Sequence, residues 1–177
     1  TNTVTLNYTN TNASPMPVLG DLHIRSGSTL NLSGTGITLD GDVTCDGTVM
    51  YSGTGGRRIT FRESAPQSIS GSGTFNAYDL IINKPLDDVS LDMSITVDHD
   101  LALLNGRILN HGTPHIVTMG ASATVSNYSG DSFVTGGVRK SGNTAFTFPV
   151  GKETTVRPIG IGAGGSLSDS YVAEYFN

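Results

Sequence analysis

The sequence predicts an all-β fold, a right-handed parallel β-helix-like solenoid with a C-terminal β subregion that could be antiparallel. Three observations support this prediction. Short segments carry apolar side chains at alternate positions, glycine turns at Gly34, Gly53 and Gly73 recur about every 19 to 20 residues, and no segment has the apolar spacing of a helix. Glycine accounts for 23 of the 177 residues, so turns rather than helices dominate the chain.

The strand candidates are apolar pairs at positions i and i+2, which point to the same side of a strand. In chain order they are Leu22 and Ile24, Leu30 and Leu32, Ile37 and Leu39, Val49 and Tyr51, Ile59 and Phe61, Leu80 and Ile82, Val89 and Leu91, Ile95 and Val97, Leu101 and Leu103, then Ile116 with its neighbours, Val125, Val134, Val138, Phe146 and Phe148. Such short strands fit the faces of a parallel β-helix better than a sandwich. At the N-terminus, Val4 and Leu6 alternate and could form the first coil or an edge strand.

Inward side chains of such a coil stack on their counterparts one turn away and form a column of Leu, Ile and Val. The corners need positive φ, which Gly and Asn adopt at low cost. Tyr51 is expected to point inward by the same alternation. Cys45, the single cysteine, is expected to be a small buried residue in a strand.

Two places interrupt the strand pattern. The segment Lys84–Asp88 indicates a charged turn, and Pro85 within it cannot donate to a ladder. From Ser141 onward the pattern of turns and strands changes. We therefore divide the chain into a β-helix-like coil region, residues 1–134, and a C-terminal β cap or junction, residues 135–177.

Composition limits the classes of partner. The net charge is −5, Lys and Arg together number only 10, and the adjacent basic pairs are Arg57-Arg58 and Arg139-Lys140. Nucleic acid or an anionic membrane surface would need clustered cations. No apolar run approaches the roughly 20 residues that span a bilayer. We therefore expect neither a nucleic-acid partner nor membrane insertion.

Several runs of the sequence carry a resemblance to a known family. They are Asp21–Leu32, Gln67–Gly71, Tyr78–Asn83, Leu103–Asn110 and, most specifically, the run FTFPVGK at Phe146–Lys152 followed by Arg157–Ile159. These runs resemble, in the same order, segments of large multi-repeat secreted cell-surface proteins of Bacteroidota that are associated with type IX secretion, with gliding-like or adhesin-like β-helix repeats and a TFPVGK segment.

The resemblance covers most of the chain and implies β-helix-like modules, export through the gliding-associated type IX pathway, and a role in adhesion, gliding or extracellular matrix. It supplies no catalytic or cofactor-binding residues. The sequence starts at Thr1 and lacks the sorting domain that such exported proteins carry, so we expect a processed chain or a fragment whose export signal lies elsewhere in a longer precursor.

One acidic cluster is a candidate metal site. Asp40, Asp42 and Asp46 surround a glycine turn, and carboxylates spaced by two residues could share a calcium ion. The cluster lacks the sequence pattern of a helix-loop-helix calcium site and the glycine-rich nonapeptides of calcium-dependent β-rolls. The alternative is that all three are solvated turn residues. No other cofactor is expected.

Other polar and aromatic residues could serve a carbohydrate-binding or polysaccharide lyase-like β-helix, with acids and a base on one face and aromatic rings that stack on sugars. The alternative is surface charge that keeps sheet edges soluble. The candidates are Asp87, Asp88, Asp92, Asp98 and Asp100 as acids, Arg57, Arg58 and Arg107 as bases, Tyr51, Phe75, Tyr78 and Tyr128 as stacking rings, and His111 with His115 as a metal pair.

We expect a non-enzymatic structural or adhesive module of an exported bacterial surface or extracellular-matrix protein, located outside the cell. The alternatives are a carbohydrate-binding or polysaccharide lyase-like β-helix and a self-assembling extracellular filament subunit. The expected partners are neighbouring modules, other copies of the chain and surface glycans. Because an uncapped coil end is an unpaired sheet edge, residues 1–12 and 165–177 are expected to contact a neighbouring module or subunit.

Overall fold

The structure, a computed structural model, describes residues 2–6, 15–54, 56–110 and 114–175, with residues 2–6 described by their backbone alone. These residues form 21 β-strands and no helix. Parallel sheets stack as a β-solenoid of about six turns, and antiparallel strands follow at the C-terminal end. The predicted fold class is therefore confirmed.

Each coil contributes strands to three parallel ladders, which we call faces 1, 2 and 3. Face 1 contains β1 (Asn2–Leu6), β4 (Ser28–Ser33), β7 (Thr48–Ser52), the first parts of β10 (Thr74–Asn83) and β12 (Ile95–Asn105), β14 (Val117–Met119) and β16 (Val138–Ser141). Face 2 contains β2 (Met16–Val18), β5 (Ile37–Leu39), β8 (Arg58–Phe61), the later parts of β10 and β12, and β15 (Thr124–Ser126). Face 3 contains β3 (Leu22–Ile24), β6 (Val43–Cys45), β9 (Gln67–Ser70), β11 (Val89–Leu91) and β13 (Ile108–Leu109).

The core consists of columns of side chains that run along the solenoid axis. On face 2, Leu39 pairs with Phe61, Phe61 with Ile82, and Ile82 with Leu103, and all four are fully buried. Burying one such side chain contributes roughly 1.5 to 3 kcal/mol. Cys45 is also fully buried in face 3, as predicted, and this burial raises the pKa of its thiol.

Two corners of the coil differ in construction. Between faces 1 and 2, β10 and β12 pass through the bend without ending. We call this bend the ladder corner, formed by residues 34–36, 56–57, 78–79 and 98–99. Between faces 2 and 3 the chain leaves the strands in loops. We call this the loop corner, formed by residues 62–66, 84–88, 104–107 and 129–132.

The three glycine turns that suggested the repeat length do not share one corner. Gly34 and Gly53 follow face 1 strands and have positive φ, 85° and 69°. Gly73 precedes the face 1 segment of β10 instead. It is glycine for a different reason, because a Cβ there would lie 2.0 Å from the carbonyl oxygen of Gly47 in the preceding coil.

The C-terminal region changes from parallel to antiparallel pairing. β16 still pairs parallel with β14 over Val138–Lys140, so the parallel ladder continues to Lys140. The next pairs are antiparallel: β17 (Phe146–Phe148) with β20 (Ile159–Ile161), β18 (Gly151–Lys152) with β19 (Thr155–Val156), and β21 (Ser170–Ala173) with β16. Phe146, Phe148 and Val150 are buried and extend the core cluster over the end of the coil.

Further details of the sequence prediction also have structural outcomes. β1 pairs parallel with β4 at the start of face 1, so the segment with Val4 and Leu6 belongs to the first coil and also forms the first strand of its sheet. Of the predicted end contacts, residues 1, 7–12 and 176–177 lie outside the described residues. The segment Lys84–Asp88 is a turn, but Lys84 is buried rather than part of a charged surface.

Candidate functional site

The three carboxylates predicted to bind calcium each bond a partner of their own. Asp40 accepts a hydrogen bond of 2.8 Å from Arg62 Nε, which raises the pKa of that guanidinium. Asp42 accepts a hydrogen bond of 2.7 Å from the backbone N–H of Ser68. Both partners belong to the coil that follows, so these two carboxylates connect successive coils.

Asp46 makes the same kind of connection. It accepts hydrogen bonds of 3.2 Å from the backbone N–H and the hydroxyl of Ser72, and its other oxygen lies 3.1 Å from His23 Nε2. The bond to His23, together with those from Ser72, lowers the pKa of Asp46. Asp46 is thus bonded to the coil before it and to the coil after it.

These bonds follow one rule at the ends of strands. A side-chain oxygen accepts from the backbone N–H of the residue in register one coil later. The pairs are Asp21 with Asp42, Asp42 with Ser68, Asp46 with Ser72, Asp88 with Arg107, and Ser94 with Ile116. Where the chain bends out of a ladder, a backbone N–H loses its carbonyl partner and needs another acceptor. In four of these pairs the acceptor is an aspartate carboxylate, and in the fifth it is the hydroxyl of Ser94.

The geometry adds no support to the calcium prediction. In the part of the chain that the structure describes, no three His, Cys, Asp or Glu side chains are grouped so that they could hold a metal ion. His23 and His99 each contact a carboxylate, Asp46 and Asp79. The predicted pair of His111 and His115 lies partly outside the described residues.

The ladder corner carries a stack of side chains from three successive coils. The guanidinium carbon of Arg57 lies 3.5 Å from the ring centroid of Tyr78. The His99 ring stacks on Tyr78 from the following coil, with centroids 4.5 Å apart and planes 5° apart. His99 Nδ1 also lies 2.6 Å from Asp79 Oδ1. Because Arg57 and His99 come from the coils on either side, both faces of the Tyr78 ring are covered by the chain itself.

The other aromatic residues considered for sugar stacking are also engaged. Tyr51 packs against the core, as predicted, with its ring edge-on to Tyr78 at 5.1 Å, and its hydroxyl donates to Asp98 at 2.9 Å. Phe75 is buried, and Tyr128 packs partly buried against the core. Phe75 is buried and Tyr78 is covered on both faces, so neither ring offers an open face like those of a sugar-stacking platform.

The loop corner contains a groove of about 630 Å³, which we call the loop-corner groove. Successive loops form its walls, and polar groups dominate its lining. The lining residues are Lys84, Pro85, Leu86, Asp87, Asp88, Leu104, Asn105, Gly106, Arg107, Ser129, Gly130, Asp131, Ser132 and Thr154. Its volume falls within the range of small-ligand sites.

Arg107 is one of two cations that line this groove, with Lys84, and it is fixed at both ends of its guanidinium. It donates to Asp88 at 2.7 and 3.1 Å and to the carbonyl of Glu153 in the turn between β18 and β19. The hydrogen bond to Asp88 raises the pKa of Arg107. A guanidinium held in its charged form cannot take up a proton, so this geometry does not favour Arg107 as the base of a lyase.

The acids suggested for a lyase-like site do not meet on one face. Asp87 and Asp88 lie at the loop corner, and Asp98 lies at the ladder corner with Asp100 beside it. Asp92 follows β11 at the third corner, where the chain passes from face 3 to face 1. Asp100 accepts hydrogen bonds from the hydroxyls of the face 2 strand β15. The loop-corner groove, rather than an acidic face, is the concave site that this arrangement provides.

Sequence reasoning missed two buried lysines. Lys84 Nζ donates to Gln67 Oε1 at 2.8 Å and to the carbonyls of Arg62 and Ala65. Lys140 Nζ donates to three carbonyls at 2.7 to 2.8 Å. Burial lowers the pKa of both lysines. The signal was present, because each lysine stands two positions after an inward apolar residue, Ile82 or Val138, and so continues the inward side of its strand.

The described residues include no helix long and apolar enough to cross a membrane. No family model, no curated protein and no solved structure matches this chain. The fold and the loop-corner groove are therefore the basis for assigning a role.

Proposed function

We propose that this chain is a structural or adhesive module of an exported bacterial surface or extracellular-matrix protein, and that it catalyses no reaction. The observation that carries the proposal is the use of its polar side chains. At the ends of strands they bond the next coil, and at the ladder corner they stack on one another. This distribution favours a molecule whose role is to hold a stiff shape.

The core supports the same role. Columns such as Leu39, Phe61, Ile82 and Leu103 continue through successive coils, so each coil is held by both of its neighbours. In quasi-one-dimensional folds of this kind, stability is nearly a sum of repeats and their interfaces. Such mutual support between coils suits a module that projects from a cell and must resist proteases.

The proposal includes end-to-end contact with neighbouring modules. Face 1 begins at β1 and ends at β21, and among the described residues no strand pairs with the outer edge of β21. Val172 in β21 is 54% exposed. A free strand edge with an exposed apolar side chain tends to pair with another chain. The same observation favours the filament alternative, in which the neighbour is another copy.

Export and a bacterial surface location depend on the resemblance of the Phe146–Lys152 run and the earlier runs to secreted Bacteroidota proteins. The natural test is the reading frame around this segment. Further copies of the module or a type IX sorting domain would support this part of the proposal. A precursor that contains an intracellular enzyme fused directly to this segment would contradict it.

The adhesive role can be tested by displaying the chain on a non-adherent bacterium and measuring attachment to abiotic and cell-coated surfaces under flow. We expect attachment above that of cells that display an unrelated β-solenoid of similar size. Equal attachment would contradict adhesion. Reducing-end or unsaturated products released from a polysaccharide panel, with or without calcium, would contradict the non-enzymatic assignment and favour the lyase-like alternative.

End-to-end contact is tested separately by sedimentation and electron microscopy over a range of concentrations. Val172→Lys places a charge at the β21 edge, and Val156→Lys, in β19, serves as a control substitution away from that edge. We expect self-association that Val172→Lys reduces and Val156→Lys leaves unchanged. A monomer at all concentrations would argue against the filament alternative and restrict end-to-end contact to other modules.

A further inference from the structure

We propose that the loop-corner groove binds a neutral saccharide. The inference rests on the proposed adhesive role only in naming what the module would adhere to. It is argued from three properties of the groove: walls that are fixed before any ligand arrives, side chains left without partners, and the sign of the unpaired charge.

The walls of the groove are held by bonds between coils. Lys84 bonds the loop that precedes β9, Asp88 bonds Arg107, and the hydroxyl of Ser132 donates to the carbonyl of Gly106 at 2.9 Å. Arg107 also contacts the β18–β19 turn, so the C-terminal region supports one side. Because these loops are already ordered, a ligand does not have to supply the free energy of ordering them.

The groove also presents side chains that the fold does not use. Leu86 is 80% exposed and Leu104 is 43% exposed. Among the described residues, the Asp131 side chain forms no hydrogen bond or ion pair, and the Asn105 side chain bonds only the neighbouring Asn83 amide, at 2.8 Å. The groove therefore combines two apolar contacts with an acidic and an amide group.

This combination fits the chemistry of a sugar ring. A pyranose presents C–H groups on its faces, which pack against aliphatic side chains, and hydroxyls around its edge, which bond carboxylates and amides. A pocket that anchors a peptide side chain is typically centred on an aromatic or aliphatic contact. The polar groups that dominate this lining favour the saccharide.

The charges select a neutral saccharide over an acidic one. Asp88 neutralises Arg107 at 2.7 Å, whereas Asp87 and Asp131 form no ion pair among the described residues. Lys84 also lines the groove and bonds an amide and two carbonyls rather than a carboxylate. Three aspartates against one arginine and one lysine leave the lining with a negative balance, which disfavours uronates. The groove therefore differs from a lyase-like site that would act on polyuronates.

Titration calorimetry of the folded chain with cellohexaose, xylohexaose, mannohexaose and chitohexaose tests the proposal, with a galacturonate hexamer as the acidic comparison. We expect at least one neutral hexaose to bind, and the galacturonate to bind at least about tenfold more weakly. We expect Leu86→Ser and Asp131→Ala each to weaken binding by about tenfold. The matched controls are Leu167→Ser, at a leucine 78% exposed, and Asp92→Ala, an exposed aspartate outside the groove; both should leave affinity unchanged.

Lack of binding to all four neutral hexaoses, equal loss in the controls, or tighter binding of galacturonate would each overturn the proposal. Binding of peptides from a random library at the groove, without saccharide binding, would also overturn it. The assay uses soluble ligands and the isolated chain. Surface attachment that persists in Leu86→Ser and Asp131→Ala would therefore reject the groove as the adhesive site and leave the structural or adhesive module in place.

Discussion

The ladder corner and the loop corner both join two faces of the same coil, yet their side chains serve different purposes. At the ladder corner, Arg57, Tyr78 and His99 stack on one another through three coils. At the loop corner, the chain extends outward, and buried bonds such as those of Lys84 hold loops whose tips remain open. A corner without loops uses its side chains to hold the coil together, whereas a corner with loops leaves some of them available to a ligand.

The two corners also contain glycines that differ in the space available for an added side-chain atom. Backbones approach closely at the ladder corner, where a Cβ on Gly36 would lie 2.6 Å from the carbonyl oxygen of Arg58. The base of the loop corner is equally close, since a Cβ on Gly106 would lie 2.4 Å from the carbonyl oxygen of Asp87, but at its tip a Cβ on Gly130 would meet nothing within 4 Å. Side chains can therefore change at the tip of the loop corner with little cost to the solenoid.

The largest expected difference in stability comes from adding a methyl group at Gly36 and, for comparison, at Gly130. Gly36→Ala should lower the free energy of unfolding by about 3 kcal/mol, because the rigid backbone of the next coil blocks the added atom. Gly130→Ala should change it by less than about 0.5 kcal/mol. Urea unfolding followed by circular dichroism measures both. Equal effects would show that the two corners are equally packed.

The next effect concerns the support of the loop corner. Lys84→Met keeps the length of the side chain but removes the donors to Gln67 and two carbonyls. We expect a loss of about 2 kcal/mol, because the acceptors remain buried without a partner. Lys152→Met, at a partly exposed position in β18, is the control. An equal loss of stability for Lys84→Met and Lys152→Met would show that the hydrogen bonds of Lys84 do not stabilise the loop corner.

A smaller effect is expected from the side-chain stack at the ladder corner. Tyr78→Leu retains an apolar side chain but removes the ring between Arg57 and His99, and should cost about 1 kcal/mol. A double-mutant cycle with Arg57→Met isolates the cation–π contribution by thermal and urea unfolding. Leu86→Ser, at the exposed tip of the loop corner, should cost less than about 0.5 kcal/mol. Additive losses for Tyr78 and Arg57 would mean that the stack is not energetically coupled.

The smallest effect is a pH dependence at the third corner. The folded state holds the pKa of Asp46 below its ordinary value of 3.8 through the bond to His23. The contribution of Asp46 is therefore present above pH 3.8 and is lost as the pH falls through the lower folded-state value. Asp46→Asn should lower Tm slightly at pH 5 to 7, and the difference should shrink as the pH falls below 3.8. A difference that grows with acidity would contradict the assignment.

The repeating strands were predictable because they depend on local alternation. Leu39, Phe61 and Ile82 could each be assigned to the core from the residue two positions away, and the structure places all three there. The change of pattern near the C-terminus was also visible, although the parallel ladder continues to Lys140. The burial of Lys84 and Lys140 followed the same alternation, but a cation on the inward side is recognised only when buried acceptors are known to meet it.

The sequence by itself determined that this protein is a β-solenoid, because alternation and turn residues are properties of a few adjacent positions. Only the tertiary structure decided what its polar residues do. Asp40, Asp42 and Asp46 are close in sequence and suggested a shared ion, yet each bonds a partner 22 to 26 residues further along the chain. Partners one coil apart are set by the length of each turn, which varies along the chain. The same register places Leu86, Leu104 and Asp131 around one groove.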